Sequence, residues 1–327
     1  MAEGGQRTMD AWLSGVRPSA NEAAASSPRR SAPRPGNDSR DSRRAKLSSV
    51  ASETRTVLPD ILKHLPHIHA AKSETLLLDS MPPLKASDCP KRTESGKTTI
   101  RIINEDTFNA AISLASSKGP SSGRVAVLNM ASHAHPGGGW LRGALAQEEA
   151  LCYRSSLYLS LHRRYYPWKQ RMGVYTPDVV VIRSDMPSGH KLLMPDVAAQ
   201  DLPVVSVLSI AALCRPKTKT IAERTLDGKT VRRLVYADPA ARALTKTKMR
   251  VCLRMAGSRG HGLLVLGALG CGAFLNPKEE VAKCWLEVLR EAEFQGGWWE
   301  EIVFAVFDAK NEGNFEAFEQ ILGGVEV

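Results

Sequence analysis

Short apolar runs rich in β-branched residues recur along the chain beyond Thr98, and they restrict the possible folds more than any other feature. The six runs span residues 98–103, 125–130, 179–183, 204–210, 263–269 and 301–307. Continuous apolar runs of this length are typical of strands that are covered on both faces. Because helical patterns lie between most of them, we expect an α/β fold in which a sheet is sandwiched between helical layers.

Two of the intervening segments carry a core-facing helical stripe. The clearer stripe comprises Val281, Cys284, Trp285, Val288, Leu289 and Ala292, and the other comprises Leu244, Val251, Cys252 and Met255. For the first of these helices the sequence predicts Asn276 as the N-cap, Pro277 as the first helical residue and Glu279 three residues after the cap.

The first 50 residues differ in composition from the rest of the chain. They contain nine Lys and Arg against five Asp and Glu, and Leu47 is the only bulky aliphatic residue between Arg17 and Val50. Such a segment buries too little apolar surface to offset its ordering entropy. We therefore expect a disordered basic tail rich in Ser, Pro and Arg over residues 1–50, an accessory extension over 51–97 and the main domain over 98–327.

Two short patterns lie within the predicted tail. Gln6, Met9, Trp12 and Leu13 resemble the peptide that DNA sliding clamps bind, although Leu13 stands where the second aromatic residue is usual. An N-terminal segment without function is the alternative. A second, basic pattern is either a weak nuclear-import signal or a solvated charge cluster; it consists of Arg40, Arg43, Arg44 and Lys46.

Composition excludes several classes of protein. No run approaches the ~20 apolar residues of a membrane helix, and the first 30 residues lack a signal-peptide pattern. The six cysteines include no C-x-x-C pair, which argues against a zinc ribbon or a disulfide framework. His64, His67 and His69 are expected to be surface residues rather than metal ligands. We expect an intracellular protein, nuclear or cytoplasmic.

The net charge of +10 favours a polyanionic partner. Nucleic acid is one candidate. It ranks low because the sequence shows no aromatic residues interleaved on a basic strand face and no known nucleic-acid-binding module.

Two glycine-rich turns each follow a predicted strand and precede a predicted helix. The first contains Gly137, Gly138 and Gly139, and the second contains Gly270 and Gly272 on either side of a cysteine. Neither matches the G-K-[ST] of a P-loop or the G-x-G-x-x-G of a dinucleotide site. Each turn alone is ordinary, but two on one α/β sheet can face each other across a crevice and hold a diphosphate ligand.

Gln147, Glu148 and Glu149 stand beside the first glycine turn. Acidic residues there either stabilise the positive end of a helix or supply a partly desolvated proton donor. Because consecutive helical residues point in different directions, we expect at most one carboxyl to face the crevice.

The spacing between these two groups resembles a known signature. Gly137 to Gly139, then seven residues, then Gln147 to Glu149 is similar to the G-G-G-x(6–8)-Q-E-E of poly(ADP-ribose) glycohydrolases, and the surroundings look like the microbial type. The resemblance runs from about Ala51 to the C-terminus. Further matches are Asn129, Ala131, Pro136, residues 154–158, residues 175–183 and residues 267–274.

The resemblance implies a macrodomain-like fold, a three-layer α/β/α sandwich with a mixed sheet and a helical N-terminal extension, that binds ADP-ribose and needs neither metal nor cofactor. It implies that Glu149 is the catalytic acid, that Glu148 and Asn129 bind ribose hydroxyls and that Gln147 sets the loop. The implied diphosphate-binding residues are Gly137, Gly138, Gly139, Gly270, Cys271, Gly272 and Ala273, and Phe274 would pack on the terminal ribose.

Two residues depart from the family pattern. His135 stands where many microbial members have Asn, and Trp140 replaces a more usual Phe. Both flank the glycine turn, so a binding module with weak or no catalysis is the alternative to a hydrolase that releases ADP-ribose from chain ends.

Overall fold

The computed structural model describes residues 37–224 and 228–327. The helices are α1 (Asn37–Lys63), α2 (Thr107–Lys118), α3 (Gln147–Arg154), α4 (Pro239–Ser258), α5 (Lys278–Leu289) and α6 (Asn314–Leu322). The strands are β1 (Glu74–Leu77), β2 (Ile100–Ile103), β3 (Ala126–Met130), β4 (Met172–Val180), β5 (Val204–Ile210), β6 (Thr218–Arg224), β7 (Thr230–Tyr236), β8 (Leu263–Leu266) and β9 (Glu301–Ala305).

Seven of these strands form one mixed sheet in the order β1-β4-β5-β3-β8-β9-β2. The pairs from β5 through β3, β8 and β9 to β2 are parallel, whereas β1 and β4 run antiparallel to their neighbours. The parallel strands end at one common edge, which is where the loops that follow them meet. β6 and β7 form a separate antiparallel hairpin.

The sheet is covered on both faces because successive residues of its strands point in opposite directions. In β9, Ile302 and Phe304 pack into the apolar cluster that contains buried residues of α4, α5 and α6. Val303 and Ala305 pack instead with buried residues of α2 and α3. This arrangement confirms the predicted three-layer α/β/α sandwich with a mixed sheet.

Helix α1 crosses the boundary that the sequence predicted between residues 50 and 51. Leu47 is buried in the same apolar cluster as α2 and α3, and the Ser48 hydroxyl donates to the Leu141 carbonyl at 2.9 Å. The Thr54 hydroxyl donates to the Tyr153 carbonyl at 2.8 Å. The expectation of disorder up to residue 50 is therefore wrong for this part of the chain. The clamp-like residues Gln6, Met9, Trp12 and Leu13 lie outside the described residues.

The strand predictions contain one displacement and two omissions, the first of which is β1 within the predicted accessory extension. Residues 179–183 were predicted as a strand, but β4 ends at Val180 and begins eight residues earlier, at Met172. The β6–β7 hairpin was not predicted, because its residues are mostly polar and exposed.

Asn276 does not cap α5. The residue at the N-cap is Pro277, and the Asn276 side chain is used elsewhere, as described below. The correction is a shift of one residue in the start of the helix.

The three histidines at positions 64, 67 and 69 are exposed, as predicted. Within the described ranges, no group of three or more His, Cys, Asp or Glu side chains could hold a metal ion. None of the described helices combines the length and the apolar character that crossing a membrane requires.

Candidate active site

The two glycine turns lie side by side. The first follows β3 and the second follows β8, and these strands are parallel neighbours in the sheet. A Cβ built on Gly267, directly after β8, would be 2.9 Å from the Met130 side chain at the end of β3. Both turns therefore leave the sheet at the carboxyl ends of neighbouring strands, as expected, and a shared crevice between them stays a prediction.

The first turn requires glycine for two reasons. Gly137 and Gly138 have φ of +66° and +60°, a region that disfavours residues with a Cβ. A Cβ on Gly138 would collide with the Glu149 carboxylate, which is the nearest group, and would lie 3.2 Å from Glu148 Oε2. The absence of a side chain at this one position therefore allows both carboxyl groups to reach the loop.

Glu149 is held by the backbone of the glycine turn. Its Oε1 accepts a hydrogen bond from the Gly139 amide at 2.9 Å, and the residue is 8% exposed. A single amide donor and partial access to the crevice leave the carboxyl group able to meet a substrate oxygen. The group faces the loop and not bulk water, as its predicted role requires.

Glu148 is also turned inward, and this was not expected. It is 3% exposed, and its Oε2 accepts a hydrogen bond from the Ser132 amide at 2.8 Å. Burial raises the pKa of Glu148 to about 8; the Ser132 hydrogen bond opposes this shift and the negative charge of Glu149 adds to it. The expectation that only one of the two carboxyls faces the crevice is wrong.

Two buried oxygen atoms in this region have no hydrogen-bond partner within the described part of the chain. They are Oδ1 of Asn129 and Oε1 of Glu148. The Asn129 residue is fully buried at the end of β3, and its Nδ2 donates to the Ser209 hydroxyl at 3.0 Å. Buried oxygens without a partner are costly, so either a protonated Glu148 carboxyl donates to Asn129 or a ligand supplies the missing donors. Hydroxyl groups of a sugar would supply them.

Gln147 faces the sheet rather than the crevice. Its Oε1 accepts from the Met130 amide at 2.8 Å, and its Nε2 donates to the Leu128 carbonyl at 2.7 Å. Both partners belong to β3. Gln147 therefore fixes the start of α3 against this strand, which fits a role in setting the loop better than direct substrate contact.

The second turn is open towards solvent at one point. No atom lies within 4 Å of a Cβ built on Gly272, and both Gly272 and Ala273 are exposed. Cys271 is buried instead, and burial raises the pKa of its thiol. Phe274 is half-buried and packs against the core. The exposed backbone at Gly272 is therefore open to a ligand.

Asn276 braces this second turn, a role that the sequence reasoning missed. Its Nδ2 donates to the carbonyls of Leu213 at 2.7 Å and of Gly270 at 3.1 Å. Its Oδ1 accepts from the buried Tyr236 hydroxyl at 2.9 Å. A Cβ on Gly270 would lie 2.6 Å from Asn276 Nδ2, so the turn and this side chain fit only with glycine there. Nothing in the linear spacing of these residues signals the network.

The first turn has a brace of its own in Tyr153. The Tyr153 hydroxyl hydrogen-bonds to the carbonyls of Trp140 at 2.9 Å and of Ala144 at 2.8 Å. Trp140 is 3% exposed and packs against Tyr158, with ring centroids 4.9 Å apart. Trp140 is thus part of the core beneath the loop, whereas His135 is exposed.

A third loop reaches the same edge of the sheet. Phe307 follows β9, the neighbour of β8, and is 51% exposed. The next residue, Asp308, accepts hydrogen bonds from the amides of Glu312 and Asn314, both at 2.7 Å. These bonds fix the loop that presents the Phe307 ring.

Comparison with known families gives one match for part of the chain. Residues 50–184 match the model of the catalytic domain of microbial-type poly(ADP-ribose) glycohydrolase, abbreviated PARG. The matched segment contains the first glycine turn and residues 147–149. No curated protein matches the chain.

Solved structures extend the similarity over most of the chain. A PARG from Thermomonospora curvata is 27% identical with a TM-score of 0.62, over 85% of this chain and 98% of that chain. The same enzyme bound to the inhibitor ADP-HPD is 26% identical with a TM-score of 0.61 and the same coverage. A PARG from Deinococcus radiodurans in complex with ADP-ribose is 27% identical with a TM-score of 0.58, over 76% of this chain and 94% of that chain.

Proposed function

We propose that this protein, which belongs to the microbial-type poly(ADP-ribose) glycohydrolase family and has its macrodomain-like fold, hydrolyses ribose–ribose O-glycosidic bonds in poly(ADP-ribose) and releases ADP-ribose, mainly from chain ends. The observation that carries the proposal is the pair of buried carboxyl groups that meet at Gly138. Relatives of known structure bind ADP-ribose or ADP-HPD, which supports the same ligand class here.

In the proposed reaction Glu149 is the catalytic acid. It gives its proton to the 2′ oxygen of the leaving ribose as the bond to the anomeric carbon breaks and that carbon becomes oxocarbenium-like. Water then attacks the anomeric carbon and returns a proton to Glu149. The Gly139 amide keeps the carboxyl in place throughout.

Glu148 and Asn129 are proposed to bind the hydroxyls of the ribose that carries the scissile bond. Their support is the pair of buried oxygens without a partner, Glu148 Oε1 and Asn129 Oδ1. Since burial raises the pKa of Glu148 to about 8, its carboxyl is largely protonated at neutral pH and can also donate a hydrogen bond.

The diphosphate is proposed to lie between the two glycine turns, against Gly137 to Gly139 and Gly270 to Ala273. Phe274 would pack on the terminal ribose, and the exposed ring of Phe307 offers a stacking surface for the adenine base. With adenine stacked on Phe307, the adenine end of the released unit lies on the β9 side of the crevice.

The test is incubation of the purified protein with labelled poly(ADP-ribose), with released ADP-ribose as the readout. We expect release by the wild type, none by Glu149→Gln, and unchanged ADP-ribose affinity in that variant. Glu94→Gln is the matched control because Glu94 is exposed and lies outside the crevice. A wild type that binds ADP-ribose but releases none from the polymer would instead identify a binding module. An equally active Glu149→Gln would refute the assignment of the acid.

Three further properties remain proposals. They are the division into a tail, an accessory extension that includes the whole of α1 and a catalytic domain, a nuclear or cytoplasmic location with a role in the response to DNA damage, and clamp binding through residues 6–13. The exposed residues Arg40, Arg43, Arg44 and Lys46 on α1 support an import signal only by their charge. Loss of nuclear accumulation when they are replaced by Ala would test it.

A further inference from the structure

The β6–β7 hairpin carries a large share of the positive charge of the chain. Residues 215–233 contain seven Lys and Arg against two Asp and Glu, a surplus of five, whereas the whole chain has a net charge of +10. The basic residues are Arg215, Lys217, Lys219, Arg224, Lys229, Arg232 and Arg233. Lys219, Arg224 and Arg232 are exposed.

The base of the hairpin is joined to the second glycine turn. The Arg215 amide donates to the Phe274 carbonyl at 2.8 Å. At the end of the second hairpin strand, which is also at the base, the Tyr236 hydroxyl donates to Asn276, which in turn binds the Gly270 carbonyl. The basic ribbon is therefore attached directly beside the crevice and not at a remote point of the surface.

The order of the sheet decides which side of the crevice this is. β3 and β8 flank the crevice, β9 lies next to β8, and β5 lies next to β3. The hairpin leaves the sheet after β5 and its base bonds to the turn after β8, whereas Phe307 follows β9. If the adenine end of the released unit lies at Phe307, the remaining polymer leaves the scissile ribose on the β5 side.

We propose that the β6–β7 hairpin binds the poly(ADP-ribose) chain beyond the unit that is being released. This inference rests on the proposed function. Each further unit of the polymer brings a diphosphate and a base. The exposed basic side chains of the hairpin would bind the diphosphate. The aliphatic residues Ile221, Val231 and Leu234, which are 37%, 39% and 42% exposed, would offer apolar surface to the base.

The pairing register guides the choice of a variant. Lys219 is paired with Val235 and Arg232 is paired with Ala222, which places the two basic side chains on opposite faces of the ribbon. The double variant Lys219→Glu/Arg232→Glu therefore reverses charge on both faces. Neither residue belongs to the apolar core, so the fold is expected to persist, and the retained affinity for ADP-ribose checks this.

A charge-matched control exists at the other end of the sheet. Lys85 and Lys91 are both exposed. The backbone of Lys91 lies beside Gly297, and the neighbouring Arg92 side chain donates to the Gly260 carbonyl, which precedes the amino end of β8. Lys85→Glu/Lys91→Glu thus makes the same change in net charge on the edge away from the crevice.

The experiment measures binding in the Glu149→Gln background, so that the polymer is not consumed. With long poly(ADP-ribose) as the probe, we expect Kd of the hairpin variant to be about tenfold higher than that of the parent. The slope of log Kd against the logarithm of the salt concentration should be smaller by about one to two. Kd for ADP-ribose should not change. The control variant should leave both affinities within about twofold of the parent.

An unchanged polymer Kd, or an equal loss in the control variant, would overturn the inference. So would a hairpin variant that loses affinity for duplex DNA or RNA while keeping its affinity for the polymer, because the surface would then recognise nucleic acid. Failure of the proposed function itself has another signature, namely a parent protein that binds neither ADP-ribose nor the polymer.

Discussion

The carboxylate of Glu149 occupies the space that a side chain at Gly138 would need. The Gly138 backbone is left-handed, with φ of +60°, and the neighbouring Gly139 amide donates to Glu149 Oε1 at 2.9 Å. The glycine turn and the acid are therefore one structural unit. Neither can change without moving the other.

Gly138→Ala should lower kcat/KM for polymer hydrolysis by at least about 100-fold. The added methyl group displaces the Glu149 carboxylate, and misplacement of about 1 Å is enough for a loss of this size. Steady-state release of ADP-ribose measures it. Gly119→Ala is the matched control, because Gly119 also has a positive φ, +78°, but a Cβ there has no atom within 4 Å. Equal activities of the two variants would contradict the argument.

Glu148→Gln should stabilise the protein against heat relative to the wild type, and by more at alkaline pH than at acidic pH. Burial raises the pKa of Glu148 to about 8 in the folded protein, above the ordinary 4.5 of the unfolded chain. Below the unfolded value the group is protonated in both states. As the pH rises towards 8, the unfolded chain loses the proton first, so this group destabilises the fold progressively. The neutral amide removes the effect.

The measurement is the Tm of wild type and Glu148→Gln between pH 5 and pH 8.5. We expect the difference between the two proteins to grow by at least about 2 °C in favour of the variant across this range. Glu94→Gln, an exposed change of the same type, should show no such trend. A constant difference at all pH values would mean that Glu148 is ionised in the folded protein at neutral pH.

Much of the site could be predicted from the sequence because its glycines and acids lie within 13 residues of one another, from Gly137 to Glu149. The spacing from Gly137 to Glu149 was sufficient to place the first turn beside the start of α3. It was not sufficient to predict that Glu148 also faces the loop, because helical periodicity describes where side chains begin and not where a long carboxyl group ends. The missing Cβ at Gly138 provides the room.

Other parts of the fold depend on contacts that no local pattern reveals. Leu47 lies in a segment of low apolar content, and only the tertiary contact with the core makes its helix stable. The β6–β7 hairpin mixes polar, basic and aliphatic residues and has no buried face. Asn276 was predicted as a cap on local grounds, but its side chain donates instead to the carbonyls of Leu213 and Gly270.

Leu47→Ala should reduce the free energy of unfolding by about 2–4 kcal/mol, the usual cost of removing a buried leucine side chain. Leu47 is 4% exposed on α1. Denaturant unfolding measures the change. Lys46→Ala is the control, since the neighbouring Lys46 is exposed on the same helix and its replacement should cost less than about 0.5 kcal/mol. Equal stabilities of the two variants would support the original prediction that the chain is disordered up to residue 50.

Asn276→Ala should weaken ADP-ribose binding more than it lowers kcat. The side chain holds the carbonyls of Leu213 and Gly270, so its removal leaves buried acceptors unpaired and loosens the turn proposed to hold the diphosphate. We expect Kd for ADP-ribose to rise about 10-fold or more, with KM for the polymer rising in parallel. The Glu149 carboxyl is held by Gly139 in the other turn, so kcat should fall by less than about threefold.

Two comparisons separate this role from a general loss of structure. Tyr236→Phe removes the hydrogen bond from the Tyr236 hydroxyl to Asn276 Oδ1, together with the one that this hydroxyl accepts from Thr245, but it leaves the bonds from Asn276 to the two carbonyls, so it should change Kd in the same direction by a smaller factor. Tyr175→Phe removes a buried hydroxyl that contacts His261 at 2.9 Å, near the amino end of β8, and should leave Kd for ADP-ribose unchanged. If all three variants weaken binding equally, Asn276 acts through global stability and not through the turn.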